Sequence, residues 1–158
     1  MKIDPLKLAF SIILISLAGL IGGLSTSKYI PTWYASIKKP SFNPPNWIFG
    51  PVWTTLYVLM GISFYLVWSK GLETKQAKTA ITLFIIQLIL NVAWSIIFFG
   101  MQSPLYAFIE IIILWVFILL TIIHFYKISK PAAYLLIPYI LWVSFAAILN
   151  FSIYYLNK

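Results

Sequence analysis

The chain has 158 residues, of which 62% are hydrophobic, 18% aromatic and only 9% charged, with a mean hydropathy of +0.96. A soluble domain, about 45–50% apolar and about 25% charged by ordinary usage, could not hide that much apolar surface, so the solvent is lipid. The net charge of +8 does not point to nucleic acid: the basic residues are all lysine, set singly or in pairs between apolar runs, with no arginine to fork onto phosphate or base. Cysteine is absent, which excludes disulfides and thiolate chemistry.

Five apolar runs follow one another along the chain. The first, 8–24, is preceded by Lys2 and Lys7 and followed by Ser25 and Ser27, a pattern that also fits a cleaved signal peptide. A retained helix is the preferred reading, because Gly19 and Gly23 have the spacing that lets membrane helices approach closely. The second run, 47–68, places Trp53 and Tyr57 on one helical face and holds Pro51, whose missing donor predicts a kink. The third, 79–99, places Gln87 and Asn91 four apart on one face, with Trp94 three beyond.

The fourth run, 104–126, carries Glu110 about 9 Å along the helix axis from its start. A carboxylate at that depth is costly and marks a candidate functional group; the bland alternative is an interfacial group satisfied by water or a neighbouring helix. The fifth, 131–156, sets Trp142, Ala146, Leu149 and Asn150 on one face, and Pro138 predicts a second kink. Two readings stand for the mid-span amides. They are hydrogen-bond glue between helices, or they orient a ligand in a pocket with aromatic walls, with Ala146 as a small floor.

Each run is long enough to cross a hydrocarbon core of about 30 Å as a helix, and none alternates as barrel strands do. The expected fold is an all-α membrane protein, a single five-transmembrane-helix bundle over residues 1–158. The short connections, 70–78, 100–103 and 127–130, predict that helices adjacent in the chain pack as antiparallel neighbours. Ionic catalytic machinery is lacking: Asp4, Glu73, Glu110 and the lone His124 are too dispersed for a triad, a carboxylate dyad or a metal cluster.

The long connection 25–46 leads through WYASIKKPSFNPPNW (33–47) into the second run, a stretch too aromatic and proline-rich for a bare linker. Together with the following IFGPVWTTLYVLMG, it resembles the first loop and second helix of the TspO/MBR family, the tryptophan-rich sensory proteins. QLILNVAWSIIFF is similar to that family's third helix and PYILWVSFAAILNFSIYYLN to its fifth, and the likeness runs over nearly the whole chain in the same order.

The resemblance implies a bundle, often a homodimer, whose pocket opens towards the long loop, with that loop folded over it as a lid. It implies binding of porphyrins (protoporphyrin IX or a haem-like tetrapyrrole) without a covalent cofactor or metal, and of isoquinoline- or benzodiazepine-type drugs or sterol. Carried over residue by residue, the pocket holds Trp53, Asn91, Trp94, Trp142, Phe145, Ala146 and Leu149, with Trp33, Trp47 and Phe49 at the lid. Lys38, Lys39, Pro40, Phe42, Pro44 and Pro45 belong to the lid itself. Two readings stand for the two lysines, cations that meet propionates at the cavity mouth or solvated loop lysines with no ligand role, while the prolines lower the entropy of ordering the loop. Two tryptophans matching Trp53 and Trp142 imply an alternative, light- and oxygen-dependent porphyrin breakdown. A porphyrin or sterol transporter is a second alternative, against which stand the lack of internal repeats and the few intramembrane charges. The family's C-terminal sterol segment is matched loosely, with Lys158 where an arginine is usual.

Lysines set the expected orientation. Lys2, Lys7, Lys70, Lys75, Lys78, Lys127 and Lys130 fall on one side of the membrane, and Lys28, Lys38, Lys39 and Lys158 on the other. The positive-inside rule puts the N-terminus in the cytoplasm of a bacterial or archaeal cell, and the long loop and C-terminus outside. In this cysteine-free background, Ser36→Cys is expected to react with an impermeant thiol reagent in intact cells. Labelling only after lysis would reverse the orientation.

Overall fold

The computed structural model describes residues 3–158; Lys2, one of the lysines counted above, lies outside them. Helix α1 (Pro5–Ser27) begins earlier and ends later than its apolar run. Asp4 caps it, its side chain accepting from the Lys7 amide at 3.1 Å, and Pro5 occupies the first turn, where no donor is needed. Helix α2 (Asn46–Trp68) carries Pro51 without ending there. Helix α3 (Lys75–Ser95) starts four residues before the predicted run because the Thr74 hydroxyl accepts from the Ala77 amide at 3.1 Å. Its last turn, Ile96–Gly100, widens to π geometry, with the Met101 amide donating to the Ile96 carbonyl at 2.8 Å.

Helix α4 (Pro104–Tyr126) coincides with its predicted run. The fifth span is two helices rather than one, α5 (Lys130–Leu135) and α6 (Ile137–Asn157). The break at Leu136 follows from Pro138, which cannot donate to the Tyr134 carbonyl; the Leu136 amide turns instead to Ala133 at 3.1 Å. All five spans are long and apolar enough to cross a membrane, and the described residues contain no strand. The exposed side chains of α1, including Leu6, Phe10, Ile13, Leu17 and Leu24, account for part of the apolar excess: they face lipid.

Sequential packing holds for α1 with α2 and for α3 with α4, but not for α2 with α3. Helix α1 packs against both α2 and α3 and so lies between them, while α5 closes the ring against α2, and α4 backs α3, α5 and α6. The six-residue link 69–74 explains how: at about 3.3–3.6 Å per residue it reaches past an intervening helix, given axes about 8–10 Å apart. The half of the bundle where α1 begins, named inner after the expected orientation, is filled by Met60, Phe84, Ile118, Phe125 and Leu136, with Phe84 stacked on Phe125 at 5.5 Å. The outer half has a separate cluster around Tyr34, Phe98, Phe99, Leu149 and Ile153.

The seam between α1 and α2 changes along its length. At the inner end the Asp4 amide donates to the Tyr65 hydroxyl at 2.9 Å, and the rings of Phe10 and Trp68 lie 6.0 Å apart. A Cβ on Gly61 would sit 2.6 Å from Ile12 Cα, and one on Gly19 would sit 2.5 Å from the Tyr57 ring. At the outer end, a Cβ on Gly23 or Gly50 would meet nothing within 4 Å. The helices therefore diverge towards the lid. Gly61→Leu is expected to lower thermal stability in detergent by about 1–3 kcal/mol, as overpacking against backbone does, whereas Gly23→Ala should leave it unchanged or raise it by up to about 1 kcal/mol through helix propensity. Equal melting temperatures for the two variants would refute the wedge.

Candidate functional site

Where the outer half of the bundle parts, a cavity of about 480 Å³ lies under the loop between α1 and α2. Helix α2 contributes Phe49, Trp53 and Tyr57 at four-residue intervals, which is one helical face. Helix α6 contributes Trp142, Ala146, Leu149 and Asn150, and α3 contributes Trp94. All eight are residues that the sequence singles out, and the structure brings them to one cavity. The volume falls in the range of about 300–1,000 Å³ usual for small-molecule pockets, and the lining is mostly apolar and aromatic.

Below the cavity, the other predicted amides form its support. The Tyr57 hydroxyl donates to Asn91 Oδ1 in a short hydrogen bond. Asn91 Nδ2 donates to the Tyr139 hydroxyl at 2.9 Å, and Tyr139 donates to Gln87 Oε1 at 2.8 Å. This chain ties α2, α3 and α6 together among fully buried groups. Asn150 serves both readings of the amides: it lines the cavity, accepts from Trp94 Nε1 at 3.0 Å, and donates to the Pro104 carbonyl at 2.7 Å.

The remaining predicted residues lie elsewhere. Trp33 packs behind the cavity on Phe98 and Phe99, at ring distances of 5.5 and 6.4 Å. Trp47 is 74% exposed at the outer end of α2. Phe145 stands beside the wall, 5.4 Å from the Trp142 ring and 6.3 Å from that of Phe42. Glu110 is buried on α4, a helix that contributes nothing to the lining, and neither carboxyl oxygen has a hydrogen-bond partner among the described residues. His124 Nδ1 contacts the Leu120 carbonyl at 2.8 Å near the opposite end of α4.

The loop covers the cavity and is fastened at several points. A π turn at Ile30–Tyr34 brings Ile30 and Tyr34 into the lining. The Tyr34 hydroxyl donates to Asn43 Oδ1 at 2.6 Å; burial pushes its pKa up to about 12 against the pull of that bond, so it remains a donor at neutral pH. Asn157 at the end of α6 grips the loop backbone, accepting from the Lys38 amide at 3.0 Å and donating to the Lys38 carbonyl at 2.9 Å. Lys39 turns to its own loop, donating to the Ile37 carbonyl at 2.9 Å and lying 5.0 Å from the Tyr34 ring centre. The Lys38 side chain is exposed, Pro40 and Pro44 are half-buried, and Pro45 leads into α2 at φ −55°.

Sequence reasoning misses Phe98 and Phe99, which close the cavity from the π turn of α3, and Tyr139, the hub beneath it. It also assigns Gly19 and Gly23 to helix packing. Gly19 does admit the Tyr57 ring, but Gly22 and Gly23 line the cavity with it. The FFG run and the glycine pair are visible signals; only the fold shows which way they face.

The arrangement defines a class: a five-span integral membrane protein with an aromatic cavity roofed by its own first loop. A profile of the TspO/MBR family matches residues 11–156. The chain is 47% identical over 152 residues to tryptophan-rich protein TspO of Chlorobaculum tepidum, covering 96% of both chains. It is likewise 47% identical over 152 residues to that of Archaeoglobus fulgidus, covering 96% of this chain and 97% of the relative. It is 39% identical over 142 residues to the translocator protein of Ovis aries, covering 87% and 84%. The chain belongs to the TspO/MBR family.

Asn91→Leu should lower stability by about 1–3 kcal/mol, because the buried Tyr57 hydroxyl is left without an acceptor. Adding Tyr57→Phe should restore part of that loss, which thermal melts of both variants in detergent would reveal. A strictly additive double variant would mean that the two side chains are not coupled.

Proposed function

We propose that the protein is a membrane binding and sensory protein for porphyrins and related flat hydrophobic ligands, held in the cavity beneath the first loop. The observation that carries this reading is the convergence of three tryptophans, Trp53, Trp94 and Trp142, on one roofed cavity of about 480 Å³. Indole faces offer large stacking areas to a planar macrocycle. Trp142 Nε1 is a buried donor with no partner among the described residues, so a ligand acceptor there would satisfy it. Lys28 and Lys38, exposed at the loop end, offer cations to peripheral carboxylates. Family membership and the names of the relatives support a sensory or transport-related role at a membrane. The lysine distribution favours the lid facing outwards from a prokaryotic plasma membrane.

Light-driven breakdown of the porphyrin by oxygen is a second reading, favoured because Trp53 on α2 and Trp142 on α6 line the same cavity. The porphyrin would supply the photochemistry and the indoles the nearby redox-active groups.

Quenching of tryptophan fluorescence by protoporphyrin IX in the dark tests binding. Replacing Trp53 and Trp142 together by Ala is expected to weaken it about fivefold or more, from the loss of two stacking contacts of about 0.5–1.5 kcal/mol each. Unchanged affinity would remove the cavity as the site. Under illumination, Soret bleaching faster than with an inert membrane protein, and lost in the double variant, would establish the second reading; bleaching at the control rate would dismiss it.

A further inference from the structure

The cavity is not equally enclosed on all sides. The exposed residues among its lining are Leu20, Gly23 and Ser27 on α1 and Gly50 and Thr54 on α2. None comes from α3, α6 or the loop. The opening is therefore the outer part of the α1–α2 seam, where the two helices have diverged, and it faces lipid. The roof by contrast is closed and fastened, through the Asn157 grip on Lys38 and the Tyr34–Asn43 bond.

We infer that the gap at Gly23 and Gly50 is a lateral portal, through which a hydrophobic ligand dissolved in the outer leaflet reaches the cavity while the lid stays shut. The inference rests on the reading of the cavity as a ligand pocket. Gly23 and Gly50 each lie four residues from the outer end of their helix, about 6 Å below it. That is the level just under the headgroups, where a flat apolar ring with an anionic edge settles. Lys28, at the outer end of α1, stands above the gap.

The rim is also made for lipid. Thr54 Oγ1 donates to the Gly50 carbonyl at 2.9 Å and Ser27 Oγ to the Leu24 carbonyl at 3.5 Å, so the rim hydroxyls are turned to their own helices. Open space at both glycines means that a larger side chain can narrow the passage without displacing a neighbour. The glycine at the base of the wedge, Gly19, is different, because the Tyr57 ring occupies the space a Cβ would need.

The test uses the full chain in liposomes, with protoporphyrin IX either preloaded in the bilayer or added from water, and follows tryptophan quenching by stopped flow. Gly23→Phe and, separately, Gly50→Leu are expected to slow association from the bilayer and dissociation into it by the same factor, about tenfold. Both glycines also line the cavity, so the portal is read from association and dissociation slowing together, not from Kd. Asn157→Ala, which frees the lid, is expected to leave both rates unchanged. Acceleration by Asn157→Ala, with no effect of the two glycine variants, would overturn the portal in favour of passage under the lid.

A second arm needs no porphyrin binding. Ala146→Cys places a single thiol on the inner wall of the cavity, and N-pyrenylmaleimide in the bilayer should label it faster than a sulfonated, water-confined maleimide. Gly23→Phe should slow only the bilayer reagent. If protoporphyrin IX fails to quench but this pattern holds, the porphyrin reading falls and the portal stands. If labelling from the bilayer is indifferent to both glycine variants, the portal falls whatever the ligand.

Discussion

The hydrogen-bond chain from Tyr57 through Asn91 and Tyr139 to Gln87 is what makes a cavity possible in this bundle. In lipid, apolar side chains gain little by choosing one another over acyl chains, so helices need specific contacts to stay in register. The chain supplies them at the level where the inner core ends. Beneath it, interlocked aromatic and aliphatic side chains fill the bundle. Above it, α1 and α2 diverge without the bundle coming apart, because the buried amides hold α2, α3 and α6 together and Asn150 repeats the device nearer the lid.

The lid depends on the same economy of polar groups. Its seating comes from two asparagines and a tyrosine: Asn157 and Asn43 bond loop backbone, Tyr34 bonds the Asn43 side chain, and none of them buries charge. Lys39, which charge alone would assign to an anionic ligand, is held by loop carbonyls and the Tyr34 ring. The loop is thus a folded element with its own internal bonds, and the aromatic residues beneath it, Phe98 and Phe99, serve as both its seat and the cavity ceiling.

The helical periodicity of this chain carries much information, because a span that must hide polar groups repeats them at three and four residues. That is why Trp53 with Tyr57, and Trp142 with Ala146, Leu149 and Asn150, are legible as cavity faces from their spacing. The same reasoning places Gln87 and Asn91 on an inward face but cannot tell support from lining; that depends on which tyrosines meet them, and Tyr139 comes from a distant span. Glu110 stands out as a candidate because a carboxylate in a span is conspicuous, yet helix α4 backs the bundle away from the cavity. The insertion of α1 between α2 and α3 is not legible, because a six-residue link permits either a neighbour or a bypass. The break at Leu136 is half legible: Pro138 announces a disturbance, and the structure shows that it ends one helix and begins another.

The α1–α2 wedge exposes one leaflet to a side of the protein that the other leaflet never sees. Its width is then set partly by the membrane, since acyl chains press on the two helices with a lateral pressure that varies with depth. Acyl chains tightly ordered near the headgroups would press the lid ends of α1 and α2 together, and loosely packed ones would let them part. The glycines at the rim oppose this compression with no side chain of their own. The physical state of the bilayer would thereby enter the protein's conformation as a variable that detergent solution removes.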